Sequence, residues 1–121
     1  MSDGKQRAAV PTPAVDTCHG LLLWLIPQLD KLPRARRFTL GERLEQELIE
    51  VLGLLIRAAY QRDKRESLAE ANTRLAVSRH LWRLCFELRS ISIKPYEHGS
   101  LLMVDLGRQI GGWLRSLRDP A

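Results

Sequence analysis

Cysteine is scarce in this chain of 121 residues, with Cys18 and Cys85 far apart in sequence. Neither belongs to a C-x-x-C pair of the kind that binds zinc or cycles electrons. Both stand among apolar neighbours, Leu21 and Leu22 beyond the first and Leu84 and Phe86 around the second. They are therefore expected to be reduced, partly buried thiols of a cytoplasmic protein.

Long apolar runs are missing too. The longest, Leu21 to Ile26, stops at Pro27, far short of the ~20 residues that span a bilayer. Residues 1–13 have no apolar centre of the kind a secretory signal carries. A membrane is not expected as a partner. Aromatic residues make up only 6% of the chain, which leaves few rings for stacking on bases and argues against sequence-specific reading of single strands.

Reactive patterns are absent as well. A di-iron bundle needs Glu-x-x-His pairs on facing helices, and there are none. His19, His80 and His98 lack the spacing of a metal set. Gly111-Gly112 follows no strand and so makes no phosphate loop. No nucleophile and base can be paired by spacing. No metal, no cofactor and no catalysis are expected. One alternative is an Arg-x5-His pattern, Arg74 and His80, similar to the motif of helical HEPN ribonucleases. At 100° per residue, however, these two side chains fall on different faces of a helix.

What the chain does hold is helix-forming periodicity. Strand-like alternation and hairpin signals do not occur, and 45% of the residues are hydrophobic, enough for one packed core. Residues 1–13, with Pro11 and Pro13, read as a disordered tail, and residues 14–118 as a single domain. The first helix is predicted over Ala14–Leu32. Leu22, Leu25, Ile26, Leu29 and Leu32 form its stripe, Pro27 bends it and Pro33 ends it. An arginine-rich loop, Arg34, Arg36 and Arg37, follows. Thr39 and Glu42 then form a capping box, so the second helix is predicted to start at Thr39. On that helix Leu44, Leu48, Val51, Leu52, Leu55, Ile56 and Ala59 share one arc, with Arg43, Gln46, Glu47, Glu50 and Arg57 on the other.

The third helix is predicted from Arg65 or Glu66 to Ile91. Leu68, Ala71, Leu75, Trp82 and Phe86 line one side, with Leu81, Leu84 and Leu88 beside them, a stripe wide enough to suggest a second apolar surface. The fourth starts after Ser92, with Pro95 in its first turn and Leu102, Met103, Leu106, Ile110, Trp113, Leu114 and Leu117 inward. Gly107, Gly111 and Gly112 would admit a close neighbour. Helices of ~20 residues are ~30 Å long, and short loops pack them as an all-α, antiparallel up-down four-helix bundle.

The net charge is +5, a field that favours polyanions. Arg34, Arg36 and Arg37 cluster in one loop and Arg62, Lys64 and Arg65 in another. Arg79 and Arg83 are four apart and project together, and Arg108, Arg115 and Arg118 add charge late in the fourth helix. Arginine's planar fork suits phosphate. A bundle that serves only as a scaffold, without nucleic acid, is the bland alternative.

Several segments together resemble a known family. They are Leu23-Trp24-Leu25-Ile26-Pro27, Pro33-Arg34, Arg37-Phe38-Thr39-Leu40-Gly41-Glu42-Arg43, Ala58-Ala59-Tyr60, Glu70-Ala71-Asn72 with Leu75, Arg79, Leu81-Trp82-Arg83-Leu84, Tyr96-Glu97, Leu106-Gly107-Arg108 and Gly111-Gly112-Trp113-Leu114. They resemble the accessory variability determinant (Avd) proteins of diversity-generating retroelements, a branch of the four-helix bundle protein family, over about Leu21 to Ser116. The resemblance implies a ring-shaped homopentamer with a basic surface. It implies a non-catalytic accessory that binds reverse transcriptase and nucleic acid, template RNA above all and DNA as well, during adenine-directed mutagenic copying. Arg79 and Arg83 match basic positions of the family's third helix, with Arg34, Arg36 and Arg37 as a second candidate. Pro95 and His98-Gly99 depart from the family's pattern and put the start of the fourth helix in question.

Overall fold

The computed structural model describes residues 12–117. The tail expected over residues 1–13 lies, up to residue 11, outside them, as does Arg118. Four long helices dominate: α1 Pro13–Leu29, α2 Glu42–Tyr60, α3 Arg65–Glu87 and α4 Ile93–Ser116. Among the described residues there is no strand. α1 and α3 each pack on α2 and α4, so the chain runs up, down, up and down around a square with α1 and α3 on one diagonal. A single core of side chains fills the centre, including Leu25, Leu48, Leu55, Leu75, Trp82, Met103 and Leu106. No helix among the described residues is long and apolar enough to cross a membrane.

The start of the second helical stretch differs from expectation. Helix begins at once after Pro33, as a turn over Arg34–Arg36, and passes through a π-turn over Arg37–Gly41 into α2. The amide of Glu42 donates to the carbonyl of Arg37, five residues back. Thr39 therefore lies inside a helical run, not at its end. Its hydroxyl donates to the carbonyls of Ala35 and Arg36 at 3.2 and 3.3 Å, and the capping box does not form. The bulge brings Gly41 against Leu32, where a β-carbon would stand 3.0 Å from the leucine methyl. A side chain at this buried position would hold the two apart.

The buried arc of α2 is rotated toward α3 relative to the pattern read from sequence. Leu54 and Ala58 are buried, whereas Ile56 is exposed. Glu47, expected on the polar arc, is only 6% exposed. It accepts from Arg43 at 2.9 Å and from Arg74 at 3.2 Å, and Arg74 also donates to Glu70 at 3.1 Å. A buried carboxylate persists because two guanidinium groups satisfy it.

α3 ends at Glu87 in a Schellman turn, short of the expected Ile91. Arg89 takes φ 62°, the Ser90 amide reaches back to Cys85 O and the Arg89 amide to Phe86 O, each at 2.8 Å. Leu84 and Leu88 of its wide stripe stay exposed. α4 begins at Ile93 with Ser92 in extended N-cap backbone, although its hydroxyl makes no capping bond. Met103, Leu106 and Ile110 are buried, while Leu102, Trp113, Leu114 and Leu117 are half-buried. The close approach expected at Gly107, Gly111 and Gly112 occurs instead at Gly99, under the Trp82 indole. This glycine belongs to the segment that departed from the family pattern, and it is the seat of a core tryptophan.

Candidate nucleic-acid interface

Trp82 organises the upper half of the bundle. Its indole N–H donates to the Tyr96 carbonyl at 3.0 Å, and Trp24 meets it edge-on at 6.2 Å. Tyr96 stacks on Phe86 with ring centres 4.3 Å apart, and His98 rests on Trp24 at 4.7 Å. These contacts tie α1, α3 and α4 together. They also fix the seam between α3 and α4, because Trp82 and Tyr96 are both part of its floor.

Over that seam opens a groove of about 320 Å³. Arg79, His80 and Arg83 stand along α3, and Tyr96, Ser100 and Val104 along α4. Arg79 and Arg83, paired by their four-residue spacing, do share one surface. Arg79 has no ion-pair partner among the described residues, whereas Arg83 donates to Glu87 at 2.8 Å. That bond, with the Glu87 charge behind it, raises the Arg83 guanidinium above its already high range. The site is thus a cationic rim, half restrained by a carboxylate, over a floor of aromatic and aliphatic atoms.

Arg34, Arg36 and Arg37 lie at the same end of the bundle, since the turn that holds them joins α1 to α2. They stand on the edge opposite the groove, which lies between α3 and α4. Arg36 is near enough to the buried Cys85 thiol for its charge to oppose the rise that burial causes there. Arg37 donates to Leu32 O at 3.4 Å and sits 5.7 Å from the centre of the Phe38 ring. Phe38 is 62% exposed. Sequence reasoning passed over this residue and over His80, Tyr96 and Ser100 as neighbours of the basic groups. An aromatic inside an arginine run was the available signal for Phe38; the groove needed the helix pairing.

Other cations serve the fold. Lys64 donates to Ala58 O and Gln61 O at 2.8 and 2.7 Å, closing the end of α2. Arg65 donates to Leu117 O at 3.4 Å, at the end of α4. Arg108 pairs with Asp105. Arg74 is held between Glu47 and Glu70 toward α2, while His80 opens into the groove. The ribonuclease-like pair is thus not brought together. Among the described residues no three His, Cys, Asp or Glu side chains converge as metal ligands would. Both cysteines are free and buried; burial alone pushes the Cys18 thiol up to about 12.

A family model described as bAvd-like matches residues 15–117, which takes in α1 from its third residue, the other three helices and the turns between them. The chain belongs to the bAvd-like family. The resemblance read from short segments therefore extends over the whole bundle. The arginine-containing run Arg37 to Arg43, which carried much of it, falls on the π-turn and the first residues of α2. No curated protein and no solved structure matches the chain.

Proposed function

We propose that this chain is a non-catalytic accessory subunit of a diversity-generating retroelement. In this reading it binds the reverse transcriptase and holds template RNA, or DNA, on its basic surface during mutagenic copying. Membership of the bAvd-like family supports the retroelement setting, and a homopentameric ring is part of the same proposal. The observation that carries the nucleic-acid part is the groove rimmed by Arg79, His80 and Arg83 at the end of the bundle that also bears Arg34, Arg36 and Arg37. Guanidinium groups on rigid helix suit phosphate, and contacts of this kind set affinity without reading sequence.

The residues in the groove do not call for chemistry. His80 has no carboxylate and no second histidine among the lining residues, so neither a general-base relay nor a metal set is built there. The scaffold reading without nucleic acid is separated by one experiment. Binding of RNA by the purified protein is measured across a salt series, for the unaltered chain and for Arg79→Glu with Arg83→Glu. Affinity that falls steeply with salt supports the proposal. In the double variant the affinity should drop, and the salt slope should shrink by about one per lost phosphate contact, while helicity and oligomer persist. Salt-independent or absent binding by the unaltered chain leaves the scaffold reading; unchanged affinity in the variant rejects the site.

A further inference from the structure

The outer face of α2 carries a pattern that the groove does not use. Ile49 and Ile56 are each 43% exposed and Tyr60 is 66% exposed. Between them lies Gly53, exposed, where a β-carbon would meet nothing within 4 Å. Glu50 and Arg57 are exposed on the same face, and among the described residues neither has an ion-pair partner.

At 100° per residue, Ile49, Ile56 and Tyr60 fall on one flank of Gly53, and Gln46, Glu50 and Arg57 on the other. The pattern is nearly symmetric about the glycine in the direction of the helix. Ile49 and Ile56 lie four residues before it and three after; Glu50 and Arg57 lie three before and four after; Gln46 and Tyr60 lie seven to each side. A two-fold axis across the helix at Gly53 reverses the direction of the chain but keeps each flank facing its own flank. Two antiparallel copies would then set Ile49 against the partner subunit's Ile56, and Glu50 against the partner subunit's Arg57, each contact occurring twice. Gly53 at the centre lets the two backbones approach. In a parallel pair the opposite flanks would meet, and Glu50 would face the partner subunit's Ile49.

We propose that α2 pairs with α2 of a second copy of this chain, antiparallel about Gly53. A copy fits this face better than an unrelated helix does, because the face is already complementary to itself in both charge and apolar pattern. A two-fold contact closes with two chains, so it is separate from a ring and can join two rings. It does not depend on the nucleic-acid reading. One helix face is smaller than the ~800 Å² per partner of a standard interface, so pairing is concentration-dependent.

Two measurements test it. Sedimentation over a concentration series follows E50R, R57E and the double variant. Each single swap places like charges opposite twice and should weaken pairing about tenfold, and the double swap should restore it. Disulfide formation under mild oxidant is then compared for G53C and N72C, the latter exposed on α3; Cys18 and Cys85 are buried and do not compete. The symmetric contact predicts covalent dimers of G53C at least about tenfold faster, because the two thiols are held at high effective concentration. Equal cross-linking rates, or a double swap no better than the singles, would overturn the proposal. All the substituted side chains are exposed, and helicity by circular dichroism checks that the fold is kept.

Discussion

Gly99 and Trp82 are in mutual contact: a methyl group on the glycine α-carbon would stand 2.8 Å from two atoms of the indole. The indole cannot yield, because its N–H is bonded to Tyr96 O and its edge is packed by Trp24. Replacing Gly99 by alanine should therefore cost stability despite alanine's higher helix propensity. Overpacking costs about 1–3 kcal/mol and the propensity returns up to about 1 kcal/mol. At Gly107 the added carbon would lie 3.5 Å from Leu75, an ordinary contact. Gly107→Ala should be neutral or stabilising. Urea denaturation of the two variants compares them directly, and equal loss at both positions would contradict this view of the α3–α4 seam.

Glu87 restrains Arg83 and adds negative charge beside the groove. Glu87→Gln should tighten RNA binding, by up to about fivefold, a modest gain because exposed pairs are weak. The gain should shrink as salt rises. Titration at two salt concentrations reads this, and weaker binding in the variant would show that Glu87 contributes to the site.

Arg89 holds the left-handed turn that ends α3, at φ 62°. Glycine adopts that conformation without the side-chain clash. Arg89→Gly should raise stability by about 0.5–1 kcal/mol, visible as a higher midpoint in thermal unfolding.

The buried Cys18 thiol is held protonated to about 12, against an ordinary value of 9.0. A group whose folded value is raised gives stability that is complete below the unfolded value and lost as pH rises toward the folded one. Between about pH 9 and 12 the fold should lose a few kcal/mol from this residue, at ~1.4 kcal/mol per unit. Cys18→Ala, though less stable at pH 7 for lost packing, should show a flatter stability profile over the same alkaline range. Parallel profiles for the two proteins would contradict this.

The architecture was legible because the apolar stripes at 3.6-residue spacing, the two prolines around α1 and the charged turns all point the same way. Where sequence reading failed, tertiary contacts had overridden local signals. Thr39 and Glu42 have the spacing of a cap, but packing of Gly41 on Leu32 carries the helix through them. Glu47 is polar, yet Arg43 and Arg74 let it be buried, which turns α2 toward α3. Arg79 and Arg83 could be paired from their spacing alone. That Tyr96 and Ser100 face them could not, because it depends on how α4 lies along α3.

Lys64 and Arg65 spend their charge on carbonyl groups at the ends of α2 and α4. Removing either would loosen a helix terminus before it altered any ligand contact. Those two cations are thereby withheld from a ligand at that pole, whereas Arg79 at the other is exposed and has no ion-pair partner among the described residues. Subunits arranged side by side with the same sense would bring their Arg79 side chains onto one continuous rim.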